Sequence, residues 1–285
     1  SRCYACDHHN ALRKRGSLKS TQVIFLKLGG SLITDKDKPL TARTDVIERL
    51  VAEIMAAFQR KGDFRLVIGH GSGSFGHATA DQFQTHLGGE GEAYWRGFAE
   101  VWRAARRLNQ IMIDHLYTAG LPVIAFPPSA GLIAEDKHLV SWDTNPIKIA
   151  LCHELIPVVG GDVIFDLEIG GTIFSTEQVF MHLSKMIHPE KILLASIEQG
   201  VFQKTKKKNK IISHITPKDY ASLRSTLSGS QSTDVTGGMQ SKVDLMLSIV
   251  EAQPETSIQI FSGLEPGNVT KALCGEQLGT LITSG

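Results

Sequence analysis

Lysine stands beside paired glycines twice in this chain, in settings suited to holding an anion. Lys27 leads into Leu28-Gly29-Gly30-Ser31, and Lys242 closes the stretch Asp234-Val235-Thr236-Gly237-Gly238-Met239-Gln240-Ser241. Glycines let backbone N–H groups approach an anion closely, and a helix N-terminus adds a favourable dipole. A lysine next to them supplies a point charge for phosphate. Either segment alone reads equally as a tight turn with a surface lysine, because neither is the G-x-x-x-x-G-K-[ST] loop. Lys242 adds a hint of its own. A lysine in the first turn of a helix opposes the helix dipole, and a bound anion would remove that conflict.

A third segment, residues 69–77, reads Gly-His-Gly-Ser-Gly-Ser-Phe-Gly-His. Its glycines, serines and histidines are read as a flexible, donor-rich loop with no core to join. A lone histidine is more often structural than functional, but His77 in such a loop points to ligand contact. Two lysines and glycine loops from distant parts of one chain suggest a single convergent polyphosphate site. Phosphoryl transfer asks for little beyond positioning and neutralised charge.

The elements that must position these residues are legible from periodicity. Residues 23–28 and 65–68 are short apolar runs ending in glycine, as buried strands do. A helix is expected from Thr44-Asp45 through Phe58 to a stop at Gly62, and a long one over 94–119 with Gly120 at its C-terminal cap. Strands are expected at 123–126, 156–159, 192–197 and 258–261, and helices at 177–187 and 241–252. Alternating strands and helices predict an α/β fold, an open and mostly parallel sheet sandwiched by helices. Glycine loops at the carboxyl ends of such strands lie where ligands bind. Short strand-like pieces at 138–142, 163–166 and 172–175 predict β-hairpins lying over the sheet's end. The basic run 204–210 reads as a solvated hairpin loop, since it lacks the aromatics of a nucleic-acid site.

Composition narrows the classes further. The chain has 285 residues, 42% hydrophobic and 21% charged, with a formal net charge of +1. That is ordinary for a soluble globular protein, with no global field for nucleic acid or an anionic membrane. No apolar run approaches the ~20 residues of a membrane span, and the expectation is a cytoplasmic protein. Cys3 and Cys6 precede His8 and His9 in a zinc-like pattern, but the stretch is short, polar and without an apolar partner. Residues 1–20 are therefore expected to be a disordered or vector-derived extension, and no protein-held metal is expected. A division near residue 187 gives an acceptor-binding lobe, 21–187, and a nucleotide-binding lobe, 188–285, sharing one continuous sheet.

The motifs also carry a resemblance. Lys27-Leu28-Gly29-Gly30-Ser31-Leu32-Ile33-Thr34-Asp35-Lys36 resembles the opening of the amino acid kinase family. Gly71-Ser72-Gly73-Ser74-Phe75-Gly76-His77 resembles the loop that marks the isopentenyl phosphate kinases within it. Gly161-Asp162-Val163-Ile164-Phe165-Asp166 is similar to their central hairpin. Asp234-Val235-Thr236-Gly237-Gly238-Met239 with Lys242 is similar to their nucleotide-side motif. Gly263-Leu264-Glu265-Pro266-Gly267-Asn268 and Gly279-Thr280-Leu281-Ile282 are similar to their C-terminal end. The match runs in order from Val23 to Ile282.

The resemblance implies ATP-dependent phosphorylation of isopentenyl phosphate to the diphosphate, with Mg2+ carried on ATP and a homodimeric assembly. It implies that Lys27, Lys242 and Lys36 contact the ATP phosphates, that Gly29, Gly30, Gly73, Gly237 and Gly238 line the nucleotide, and that Asp162 holds the lysines in place. His77, with Ser72, Gly73 and Gly161, is then expected on the acceptor phosphate, and the tail pocket is expected around residues 83–98 and the helix after them. Two departures stand out. Ser72 occupies a position where the family often has glycine. Ser196-Ile197-Glu198-Gln199-Gly200-Val201-Phe202 replaces an acidic T-D-V-D-G-V-Y pattern on the nucleotide side. The other readings are a kinase of the same fold for a phosphonate such as fosfomycin or for a carboxylate, and a non-catalytic nucleotide-binding protein of this fold. Retention of Lys27, His77, Asp162 and Lys242 together argues against the last.

Overall fold

The first strand, β1 (Gln22–Leu28), already dictates the layering. Its side chains alternate, with Val23 and Phe25 joining one core and Ile24, Leu26 and Leu28 joining the other. A continuous apolar run divides this way only in a strand buried on both faces. The computed structural model describes residues 21–203, 210–224 and 238–285, apart from the side chains at 77 and 78.

After β1 come α1 (Gly30–Ile33), α2 (Thr44–Lys61), β2 (Phe64–His70), α3 (Gly73–Phe83), α4 (Glu92–Thr118) and β3 (Val123–Ala125). The middle of the chain forms β4 (Ile133–Glu135), β5 (His138–Ser141), α5 (Asn145–Cys152), β6 (Ile156–Gly160), β7 (Asp162–Asp166), β8 (Gly170–Phe174) and α6 (Thr176–Ile187). The last part comprises β9 (Lys191–Ser196), β10 (Phe202–Gln203), β11 (Lys210–Ile211), β12 (His214–Ile215), α7 (Pro217–Leu223), α8 (Gly238–Ala252), β13 (Ser257–Ser262), α9 (Asn268–Leu273) and β14 (Thr280–Ile282).

Eight strands make the main sheet in the order β12-β14-β13-β9-β1-β2-β6-β3. All of its ladders are parallel except β13–β14. Helices α5, α6 and α8 cover one face; α1, α2, α4 and α9 cover the other. The expected sandwich is thus the observed one. A second sheet, β5-β4-β7-β8, supplies the expected hairpins, with β7 and β8 antiparallel over five residue pairs. Among the described residues no helix is long and apolar enough to cross a membrane.

The termini of several elements shift from the expectation. Helix α2 spans Thr44–Lys61 and stops on Gly62, whose φ of 55° is left-handed as a glycine cap allows. Helix α8 begins at Gly238, which puts Lys242 in its second turn and not its first. The larger correction concerns residues 69–77. They are not a long loop: β2 continues through His70, and α3 begins at Gly73. Phe75 is fully buried and His70 nearly so, so the segment does join a core. Only Gly71 and Ser72 link strand to helix. The flanks of the basic run pair antiparallel, Phe202 with Ile211 and Gln203 with Lys210, as a hairpin requires. Residues 204–209 themselves, the possible zinc ligands Cys3, Cys6, His8 and His9, and Gly237 lie outside the described residues.

Candidate active site

The carboxyl ends of β1, β2, β6 and β9 lie side by side, and the turns leaving them form one rim. Two of these turns touch backbone to backbone. A Cβ on Gly30 would fall 2.7 Å from Gly73 Cα and closer still to its N, and a Cβ on Gly71 would fall 2.7 Å from Gly30 N. Gly73 takes a φ of +49°, and a side chain there would strike Thr34 and the Gly30 carbonyl. Glycine is therefore required at 30, 71 and 73 by the close approach of two chain segments. Ser72 sits between them with an ordinary φ of −78°, so a serine fits there without strain. Its side chain lies over Gly76, where a Cβ would come within 2.5 Å of Ser72 Cβ.

Lys27 follows Val23 and Phe25 in the pleat of β1, which aims it to the side covered by α6 and α8. There its Nζ donates to Glu177 Oε1 at 2.6 Å, and Lys242 Nζ stands 3.6 Å from the same oxygen. Glu177 lies in the first turn of α6, behind a capping box in which Ser175 and Gln178 bond each other's backbone N–H. Thr176 Oγ1 donates to the His70 carbonyl at 2.7 Å and ties this helix start to the end of β2. Burial alone would raise the Glu177 carboxyl; the charges of Lys27 and Lys242 and the hydrogen bond from Lys27 outweigh it and hold the carboxyl down at about 2. The carboxylate between the two lysines is thus Glu177, a residue outside the expected set.

Asp162 has other partners. Its Oδ2 accepts from Ser129 Oγ at 2.7 Å and Ser129 N at 3.2 Å, and lies 3.2 Å from Arg106 Nη2. Ser129 Oγ in turn accepts from Trp102 Nε1 at 3.1 Å. Burial pushes the Asp162 carboxyl up, against the pull of Arg106 and the Ser129 bonds. Beside it, His70 is buried with Nε2 2.9 Å from Asn109 Nδ2. Desolvation, together with the charges of Arg106 and Lys27, lowers His70 to about 4 despite its contact with the Gly71 carbonyl.

Lys27, Glu177, Lys242 and Asp162 all reach one cavity of about 410 Å³. Lys27, Gly29, Gly30, Lys36, Glu177 and Lys242 line it, with Ser72, Gly161, Asp162 and Gly238 also in the wall. Ala80, Val101, Ala105, Val163 and Ile173 supply an apolar wall from α3, α4 and the β7–β8 hairpin. The tail pocket was expected around residues 83–98 and the helix after them; His86, Val101 and Ala105 from that stretch line this cavity, and Ala80 of α3 adds to them. Ser196, Ile197 and Glu198 also reach the cavity, held in a tight turn by Ser196 Oγ and the Glu198 backbone, so the departing segment still borders the site.

Two expected backbone donors are engaged within the protein. Gly29 N–H goes to the Ala195 carbonyl at 2.8 Å, and Gly161 N–H to the His70 carbonyl at 3.4 Å. Gly73 supports the turn through its backbone conformation. His77 lies on α3, four residues past Gly73, and its side chain is outside the described residues. Sequence reasoning missed Glu177 and Arg106. Nothing local marked either: the Ser-Thr-Glu-Gln box signals a helix start and no more, and Arg106 is one of several arginines on a long amphipathic helix.

The model of the amino acid kinase family matches residues 22–262. This chain belongs to the amino acid kinase family. Among relatives, an isopentenyl phosphate kinase of Methanocaldococcus jannaschii is 34% identical over 266 residues, covering 90% of this chain and 97% of the relative. An isopentenyl phosphate kinase of Methanothermobacter thermautotrophicus is 34% identical over 273 residues, covering 92% of this chain and 99% of the relative. A solved structure described as isopentenyl phosphate kinase superposes with a TM-score of 0.76 at 30% identity, covering 91% of this chain and all of that one. As an amino acid kinase family member the chain is a phosphotransferase with ATP as its donor.

Proposed function

We propose that this chain transfers the γ-phosphoryl group of ATP directly to isopentenyl phosphate, giving isopentenyl diphosphate and ADP. One observation carries the reading: a single cavity is lined both by a lysine pair with glycine turns and by the apolar side chains Ala80, Val101, Ala105, Val163 and Ile173. That is the shape of a site for a phosphate with a short hydrocarbon tail. The relatives described as isopentenyl phosphate kinases support it.

An alkyl monophosphate has its second pKa near ~6, so at neutral pH it is largely a dianion. Its oxygen attacks the γ-phosphorus as the bond to the β–γ bridging oxygen breaks, and ADP leaves. No side chain need remove a proton. Lys27 and Lys242 steady the charge on the transferring group, and Glu177 fixes where they point. The first N–H groups of α1, at Gly30 and Ser31, cradle the triphosphate, with Gly237 and Gly238 on the nucleotide side and Lys36 reaching in from its exposed turn. His77 and Ser72 hold the acceptor phosphate. Residues 21–187 then serve mainly the acceptor and 188–285 the nucleotide.

The donor set does not fit a resident metal, because Glu177 and Asp162 are already paired with cations; in this reading Mg2+ arrives on ATP. A cytoplasmic homodimer completes the proposal. The test is ADP release with isopentenyl phosphate, dimethylallyl phosphate, fosfomycin, acetylglutamate and UMP, with sedimentation velocity on the same preparation. Isopentenyl phosphate should give the highest kcat/KM. Preference for acetylglutamate or UMP, or no acceptor-dependent ADP release, would refute the reading.

A further inference from the structure

The cavity must admit two anions, yet a buried carboxylate stands in its wall. Glu177 is answered by two lysines. Asp162 is answered by Arg106, which stands on α4 next to the wall residue Ala105 but is not itself in the wall. Asp162 is shaped by three further bonds, from Ser129 N, Ser129 Oγ and Val163 N, and through Ser129 it reaches Trp102. These bonds fix the carboxylate's place but do not cancel its charge. Arg106 does, and it does so at some expense to itself: its Nε and Nη2 are buried and make no hydrogen bond, the contact to Asp162 being an ion pair without hydrogen-bond alignment. A buried guanidinium with idle donors is a poor stabilising device, since replacing a buried ion pair by apolar groups is often neutral or better for stability. What lies on the far side of Asp162 gives the guanidinium another use: Asp162 stands in the cavity wall.

We propose that Arg106 is a positioning residue for the phosphorylated acceptor: it neutralises Asp162 from behind the wall, so that the acceptor phosphate meets a fixed, uncharged surface. This rests on the proposed function, because it takes the incoming group to be an anion. Arg106 touches neither substrate and acts through Asp162.

The experiment compares Arg106→Met, Arg106→Lys and the double variant Arg106→Met/Asp162→Asn by steady-state kinetics with ATP and isopentenyl phosphate. Arg106→Met leaves Asp162 buried and uncompensated, and should raise the acceptor KM by about 30-fold or more, the scale of breaking one buried charge pair, while the ATP KM moves about threefold or less. Arg106→Lys keeps the charge and should stay within about tenfold of wild type. The double variant removes both charges and should recover about tenfold in acceptor KM over Arg106→Met, a coupling that a packing role would not produce. It also lacks the unpaired carboxylate, so it remains measurable if Arg106→Met folds badly. An unchanged acceptor KM in Arg106→Met, an equal rise in both KM values, or no recovery in the double variant would overturn the proposal. Calorimetric dissociation constants for inorganic phosphate, taken on the same proteins, should follow the same order. If wild type fails to turn over isopentenyl phosphate, the acceptor assignment falls, and the phosphate constants still decide the role of Arg106.

Discussion

Glu177 shows how a working residue hides in a sequence. An acid in the first turn of a helix is favoured by the dipole alone, so its presence there announces nothing. Lys27 and Lys242 were legible because glycines flanked them; the group that organises them was not, because only the fold brings α6 against the end of β1. Glu177→Gln removes the charge shared by both lysines and should lower kcat by about 10²-fold, the scale of losing one preorganised electrostatic group. Rapid kinetics on the purified variant would check it, and an unchanged kcat would take Glu177 out of the machinery. His70 makes a different prediction. Its folded pKa is lowered from 6.5 to about 4, so the unfolded chain binds the extra proton first as pH falls. Stability is therefore full above about pH 6.5 and is lost on the way down to about 4. His70 alone should account for a loss of about 2 kcal/mol between pH 7.5 and 5. Urea midpoints at the two values would show it, and His70→Gln should flatten that share of the slope. His182, lowered to about 4 chiefly by burial, would leave a remainder of the same sign.

At the scale of elements, strands were read more truly than the turns between them. Buried strands declare themselves by length and apolar content, and 23–28, 156–159, 192–197 and 258–261 all fall on observed strands. The stretch 69–77 misled because its glycines look like freedom, whereas they are there for contact. Gly30, Gly71 and Gly73 let two turns meet main chain to main chain, and Phe75 then plugs the core beneath them. Gly30→Ala adds one methyl group against the backbone of Gly73, which cannot rotate away. The expected loss is about 2 kcal/mol of stability, in line with overpacking a tight contact. Activity should fall as well, since the rim must open to make room. Thermal unfolding and turnover measured together would test this, and a fully active, equally stable variant would show that the contact is looser than it looks.

For the whole molecule, the sandwich followed from rhythm alone, while the site followed only partly. Each lysine is announced by its neighbours, but the partners Glu177, Arg106 and Ser129 come from α6, α4 and the turn after β3, and no local pattern links them. The division near 187 is bridged by the sheet itself, since β1 pairs with β9 over five residues. The cavity those strands enclose has ends made of different material. At the rim, Gly30, Gly71 and Gly73 leave no room for an added side chain, and the two lysines beside them share one carboxylate. At the far wall stand Ala80, Val101 and Ile173, ordinary side chains of graded size. Anyone wishing to retarget this enzyme would find the anion end closed to redesign and the hydrocarbon end open, so a library for new acceptors would keep its reaction fixed while varying only the length and shape of what is delivered to it.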